Sequence, residues 1–271
     1  MTSISLERRG AGDAVVLVHG IGSRWQVFEP VLDRLAERHQ VIAIDLPGFG
    51  ASPLADGVAP GPRGYAAWLT RWLDENGIHR PHLVGNSMGG GIAIELGRQG
   101  VAASVTAFSP VGFWHAPGLR WTQGLITAMR LASQVAPTAL GHAVDTPVGR
   151  AALLAPFFGQ PTRVPADVAR ADMASLAASP AYEAARRDFA GYRLAASDDL
   201  ASLREIPTTI AWGTRDVVLT HRTQSARARS LMPFARHIDV PRAGHLPFND
   251  QPDLCAGIVL DTIAAAASKE A

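Results

Sequence analysis

Gly85-Asn86-Ser87-Met88-Gly89 follows the short apolar run His82–Val84 and precedes a Gly/Ala-rich stretch. A G-x-S-x-G pattern between a strand and a helix predicts a sharp turn. Its central Ser is held in a strained backbone conformation that leaves the hydroxyl exposed at the top of a sheet. A side chain at Gly85 or Gly89 would collide with the neighbouring strand or helix. The following helix aims its free N–H groups and positive dipole end at whatever the hydroxyl attacks. A serine hydroxyl is a poor nucleophile until a base takes its proton, and the base works only if something holds its tautomer. Asp216 follows the apolar run Thr208–Trp212, and His245 follows the strand-like Arg236–Val240. All three residues therefore fall beyond the C-terminal ends of predicted parallel strands, where an open α/β sheet places its ligands. Their order, Ser, Asp, His, is the one expected for an elbow of this type. Asp198, Asp199, Asp239 and Asp250 are competing acids, and only geometry separates them from Asp216.

The elements that must position these residues alternate along the chain. Ala14–Val18, Val41–Ile44, His82–Val84 and Ser104–Phe108 are continuous apolar runs, the mark of strands buried on both faces. Between them lie helical patterns at about Gln26–Glu37, from Tyr65 to near Asn76, and from the elbow to about Gly100, with Pro53–Gly64 as loop. This rhythm predicts a mostly parallel, doubly wound α/β sheet flanked by helices. It breaks at Ser109-Pro110. The segment to about Asp199 shows no strand pattern and reads as helices broken at Pro117, Pro137, Pro147, Pro161, Pro165 and Pro180. A helical excursion between two sheet strands reads as a lid over the functional edge. Strand Thr208–Trp212, a helix at about Thr223–Leu231, strand Arg236–Val240 and a final helix at about Pro252–Ala267 complete the chain.

Composition sets the outer bounds. At 271 residues, 47% hydrophobic and 18% charged, the chain can bury a large core. A net charge of +1 with no basic run or acidic tail makes no electrostatic case for nucleic acid or an anionic membrane surface. No apolar run approaches the roughly 20 residues needed to span a bilayer. Residues 1–12 lack the apolar segment of a signal peptide, so a cytoplasmic location is expected. Cys255, the single cysteine, sits in an apolar helical pattern and reads as core rather than reactive thiol. No metal is expected, because H-E-x-x-H, C-x-x-C and clustered His/Asp spacings are all missing; no cofactor is expected either, since no dinucleotide or P-loop fingerprint occurs.

His19-Gly20-Ile21-Gly22, Asp45-Leu46-Pro47-Gly48-Phe49-Gly50, Gly85-Asn86-Ser87-Met88-Gly89, Trp212-Gly213-Thr214-Arg215-Asp216 and Gly244-His245 stand in the order and spacing of the α/β-hydrolase fold family, which the sequence resembles over nearly its whole length. The resemblance implies a sheet of about seven strands with a helical cap inserted after the sixth family strand. The core would then be residues 1–111 and 200–271, and the cap 112–199. It implies nucleophile Ser87, orienting acid Asp216 and general base His245, with an oxyanion hole from the backbone N–H groups of Met88 and Ile21. Removing one such donor typically costs about 10²- to 10³-fold in turnover. His19 reads as fixing the oxyanion loop, and Asp45 as anchoring its turn. Members often begin with an antiparallel strand pair; here there is room for one strand around Ser3–Arg8.

The function expected is hydrolysis of a small hydrophobic ester or related acyl substrate through an acyl-enzyme. Asn86 beside the nucleophile, Leu246 after the base, and Phe113 and Trp114 at the start of the insertion are the candidate pocket residues. A Ser nucleophile argues against the dehalogenase and epoxide hydrolase branches, whose chemistry needs an Asp. Two alternatives stay open. One is carbon–carbon bond hydrolysis of a vinylogous diketone, although relatives with that activity often carry Trp where Leu246 stands. The other is a ligand-binding or signalling protein on the same fold. The expected partner is a small hydrophobic molecule, with no membrane and no nucleic acid; oligomeric state is open.

Overall fold

The structure, a computed structural model, describes residues 3–270. Its strands are β1 Leu6–Arg9, β2 Ala14–Val18, β3 Gln40–Ile44, β4 His82–Asn86, β5 Ser104–Phe108, β6 Thr208–Gly213 and β7 Arg236–Val240. Among the described residues they form one seven-stranded sheet in the order β1-β3-β2-β4-β5-β6-β7. Every pairing is parallel except β1 with β3, where Leu6 lies opposite Ile44. A single antiparallel strand thus occupies the N-terminal edge, as the short stretch before β2 predicts.

Helices α1 Glu29–Ala36, α2 Pro62–Glu75 and α3 Met88–Arg98 connect the first strands. Five more, α4 Ala116–Val135, α5 Pro137–Val144, α6 Pro147–Leu154, α7 Ala166–Ala178 and α8 Tyr182–Gly191, lie between β5 and β6 with the short α9 Ala201–Glu205. The chain ends with α10 Ala226–Leu231, α11 Pro247–Asp250 and α12 Pro252–Glu270. Alternate strand residues divide between two cores. Val16, Val18, Ile42 and Ile44 pack with Tyr65, Trp68 and Leu69 of α2 and Ile92 of α3. Val15, Leu17, Val41 and Ala43 pack with Val31 and Leu32 of α1 and Cys255 and Val259 of α12. Both faces of the sheet are therefore covered, which is why its strands read as unbroken apolar runs.

The insertion has a small core of its own, around Val144, Leu154, Phe158, Val164 and Ala169. Its prolines start helices more than they break them: Pro117, Pro137 and Pro147 each occupy a first-turn position, where the missing N–H costs nothing. For the same reason α2 begins at Pro62, inside the stretch expected to be loop. The helix expected at Thr223–Leu231 is shortened to α10 by a π-helical turn over His221–Ser225. There the Ser225 hydroxyl bonds the His221 carbonyl at 2.7 Å and competes with the regular ladder. No helix among the described residues is long and apolar enough to cross a membrane.

Candidate active site

β4 delivers Ser87 to the first position ahead of α3 with φ +57° and ψ −115°, a left-handed conformation rare outside glycine. Holding a non-glycine residue there costs roughly 1–3 kcal/mol, and the close packing of the turn enforces it. A Cβ at Gly85 would run into the Gly89 carbonyl, and one at Gly89 into the Val18 carbonyl of β2. Gly20 faces the serine from the other side, where a Cβ would stand 2.9 Å from the Ser87 Cβ. The Met88 N–H, first in α3, has no acceptor within its own helix.

His19 carries that glycine loop. Its Nδ1 bonds the Gly20 carbonyl at 2.7 Å, and its Nε2 accepts from the Leu46 N–H at 3.0 Å. This pattern defines a neutral ring protonated at Nδ1, and burial pushes its pKa below the ordinary value despite Asp45 nearby. Asp45 in turn accepts the N–H groups of Trp25 at 2.6 Å and Ala51 at 2.9 Å, tying the second Gly-rich turn to the first loop.

Asp216 stands three residues past β6, buried, with both carboxylate oxygens committed. Oδ1 accepts the N–H groups of Val218 and Leu219 at 2.9 Å each, and Oδ2 lies 2.8 Å from Nδ1 of His245. The competing acids serve elsewhere. Asp198 and Asp199 accept nearby backbone N–H groups, and Asp239 pairs with His221 and Arg229. His245 is held from two directions: its carbonyl accepts from Asn86 Nδ2 at 3.0 Å, and the preceding Gly244 N–H donates to Asp250 at 2.8 Å.

Asp250 is the residue that sequence reasoning did not place. Its carboxylate is fully buried and also accepts the N–H groups of Gly159 and Gln160 at 2.7 Å each. Burial raises its pKa above the ordinary carboxylate value against the opposing pull of those three N–H groups. It therefore ties the inserted segment to the loop carrying His245. Two bonds reinforce the tie: Leu246 N–H to the Phe157 carbonyl at 2.9 Å, and the Arg215 guanidinium to the Gly159 carbonyl at 2.8 Å.

Ser87 and His245 line one cavity with Asn86, Ile21 and Leu246. Its other walls come mainly from the insertion, through Ile126 and Met129 of α4, Met173 and Leu176 of α7, Phe157 and Phe189. Phe113 and Trp114, expected in the pocket, do not line it. Phe113 is buried edge-on to Trp212, and Trp114 lies behind the cavity wall against Phe189. The chain re-enters the core after β5, so these two aromatics are spent on packing. The signal that finds the true wall is spacing: Thr122, Ile126, Met129 and Ser133 on α4, and Ala169, Asp172 or Met173, and Leu176 on α7, recur on one helical face.

A strained serine at a strand–helix elbow, an aspartate–histidine pair and a largely apolar cavity lined by both serine and histidine thus stand together on a mostly parallel α/β sheet. Residues 15–258 match the model of the alpha/beta hydrolase family, and the chain belongs to that family. A protein of Mycobacterium tuberculosis (strain ATCC 25618 / H37Rv) is 30% identical over 275 residues, covering 90% of this chain and 73% of that one. The dihydrolipoyllysine-residue acetyltransferase component of the acetoin cleaving system of Cupriavidus necator is 38% identical over 125 residues, 45% of this chain and 33% of that protein. A pimeloyl-[acyl-carrier protein] methyl ester esterase of Aeromonas hydrophila is 39% identical over 98 residues, 35% of each chain. The matches thus span about a third of the length of these last two relatives. Among solved structures, an esterase from Thermogutta terrifontis superposes with a TM-score of 0.73 at 22% identity, covering 97% of this chain and 93% of that one. A meta-cleavage product hydrolase from Pseudomonas fluorescens IP01 does so with 0.74 at 21%, covering 97% and 94%. At those identities the two structures speak to the fold alone.

Proposed function

We propose that the protein is a serine hydrolase that cleaves a small hydrophobic ester or related acyl substrate through an acyl-enzyme. The observation that carries this reading is the 2.8 Å contact between His245 Nδ1 and Asp216 Oδ2, with His245 and the strained Ser87 on one cavity wall. A carboxylate on Nδ1 fixes the proton there and leaves Nε2 free to accept. In this reading His245 takes the Ser87 proton as the hydroxyl oxygen attacks the acyl carbon. The oxyanion that forms is met by the N–H groups of Met88 and Ile21. His245 then returns the proton to the leaving alcohol, and water, activated by the same base, releases the acid. Asp216 stays ionised and stabilises the imidazolium in both halves.

The insertion, residues 112–199, acts in this account as a cap on a core of residues 1–111 and 200–271. Its apolar wall residues favour a hydrophobic acyl or alcohol part. Carbon–carbon bond hydrolysis of a vinylogous diketone is the second reading. It is supported by 39% identity over 88 residues, 31% of this chain and 32% of that one, with a 2-hydroxy-6-oxo-2,4-heptadienoate hydrolase of Pseudomonas putida, and opposed by Leu246 in place of an aromatic. Turnover of a chain-length series of aryl esters beside a vinylogous diketone separates the two. Ester turnover that is lost in Ser87→Ala supports the proposal, and turnover of the diketone alone replaces it.

A further inference from the structure

Away from Ser87, Asn86 and His245 the cavity wall is mainly apolar, with a polar corner at Asp172 and Ser23. Asp172 of α7 lines it, with its side chain 28% exposed. Its Oδ1 accepts from Arg24 Nε at 3.0 Å, a bond spanning 148 positions. Among the described residues no donor meets its Oδ2. Ser23, next to Arg24, lines the same cavity, and its hydroxyl likewise has no protein partner among the described residues. One turn along α7, Leu176 packs on Gly22, whose φ of +70° and missing side chain admit it. The corner therefore lies where α7 crosses the loop of residues 20–24, the loop that also carries Ile21. By contrast, Thr122 and Ser133 spend their hydroxyls on the carbonyls of Val218 and Met129.

We propose that Asp172, together with Ser23, forms a polar subsite that binds a hydroxyl group carried by the otherwise hydrophobic substrate. The inference rests on the hydrolase reading for what occupies the cavity. A ligand that fills this cavity takes water away from the Asp172 carboxylate, and the oxygen without a protein donor is then satisfied by a ligand donor and left unpaired by an alkyl chain. Burial pushes the Asp172 carboxyl up to about 6 against the opposing effect of Arg24, in keeping with an incompletely compensated group. The class of donor follows from charge. Asp172 with Arg24 is a neutral pair, so an ammonium would lose its hydration for little net attraction, whereas a hydroxyl loses far less. Ser23 can then accept from, or donate to, the same hydroxyl.

The test is calorimetric titration of the Ser87→Ala protein, which holds intact esters, with straight-chain aryl esters and their ω-hydroxy and ω-amino counterparts over several chain lengths. At one length the hydroxy ester is expected to bind about ten-fold or more tightly than the alkyl ester, the worth of one good hydrogen bond. Asp172→Leu in the same background removes that difference. Asp172→Asn, which keeps an oxygen acceptor, retains part of it and serves as the readout if the Leu variant does not fold. Equal binding of hydroxy and alkyl esters at every length, no binding of either, or tighter binding of the amino ester overturns the proposal. Turnover by the wild type is scored separately. Selective binding without turnover removes the hydrolase reading and keeps the subsite; turnover without selectivity does the reverse.

Discussion

Asn86 and His245 stand 159 positions apart in the chain, yet the Asn86 side-chain amide donates to the His245 carbonyl at 3.0 Å. The same nitrogen donates to the Phe108 carbonyl at 3.2 Å, so β4, its neighbour β5 and the loop bearing His245 are clipped together beside Ser87. Asp216 holds the ring of that histidine, and Asn86 and Asp250 hold its main chain. Four predictions test what each contact does, and a labelling experiment tests their sum.

Asp216→Asn retains an oxygen that can accept from Val218 and Leu219, but it turns an N–H₂ group toward His245 and reverses the histidine tautomer. Turnover is expected to fall about 10³- to 10⁴-fold while the melting temperature changes little. Steady-state kinetics beside thermal melts read both; a variant with near wild-type turnover would remove Asp216 from the mechanism.

Ser87 occupies a conformation that glycine adopts freely and alanine does not. Ser87→Gly is therefore expected to be more stable than Ser87→Ala by about 1 kcal/mol, with both inactive. Denaturant melts of the pair decide it. Equal stability would mean that the elbow stores no strain.

Asp250→Asn leaves one acceptor oxygen and an N–H₂ group where three backbone N–H groups converge. A loss of about 2–4 kcal/mol in stability is expected from the buried donors left unpaired. Slower turnover should accompany it, as Gly244 and His245 lose their anchor. The idea fails if turnover at a temperature where the variant is folded equals that of the wild type.

The Asp172 carboxyl, raised from 3.8 to about 6, titrates higher in the folded chain than in the unfolded one. Between about pH 4 and pH 6 the folded state binds more protons, so this group's contribution makes stability fall as pH rises. The penalty is absent below the lower value and complete above the upper. Subtracting the Asp172→Asn profile cancels the other titrations, and the difference should drop by about 1–2 kcal/mol across that window. A flat difference would place the carboxyl at its ordinary value.

Ser87 and Asp216 were legible as positions because each follows a mostly apolar run that folds as a buried strand, β4 or β6. His245 instead follows β7, whose Arg236, His237 and Asp239 break the apolar pattern, and it stood out only by Gly244-His245 after that last strand. Gly85 and Gly89 were legible for a steric reason that the carbonyls of Gly89 and Val18 bear out. The cavity wall was not. Phe113 and Trp114 drew attention as aromatics, but a large side chain fills core as readily as pocket, and which it does depends on where the chain turns after β5. The wall residues Ile126, Met129, Met173 and Leu176 recur at helical spacing, but which face of α4 and α7 turns to the cavity is set by tertiary packing. Asp250 was visible as a spare acid, but its three N–H partners come from Gly159, Gln160 and Gly244, and such long-range convergence leaves no local trace.

The most direct test of the central claim is the intact mass of the protein after incubation with a small fluorophosphonate, with wild type beside Ser87→Ala and His245→Ala. The account predicts a single adduct on wild type, none on Ser87→Ala and much slower labelling of His245→Ala. A folded wild type that takes no adduct, or an adduct that persists in Ser87→Ala, would contradict it.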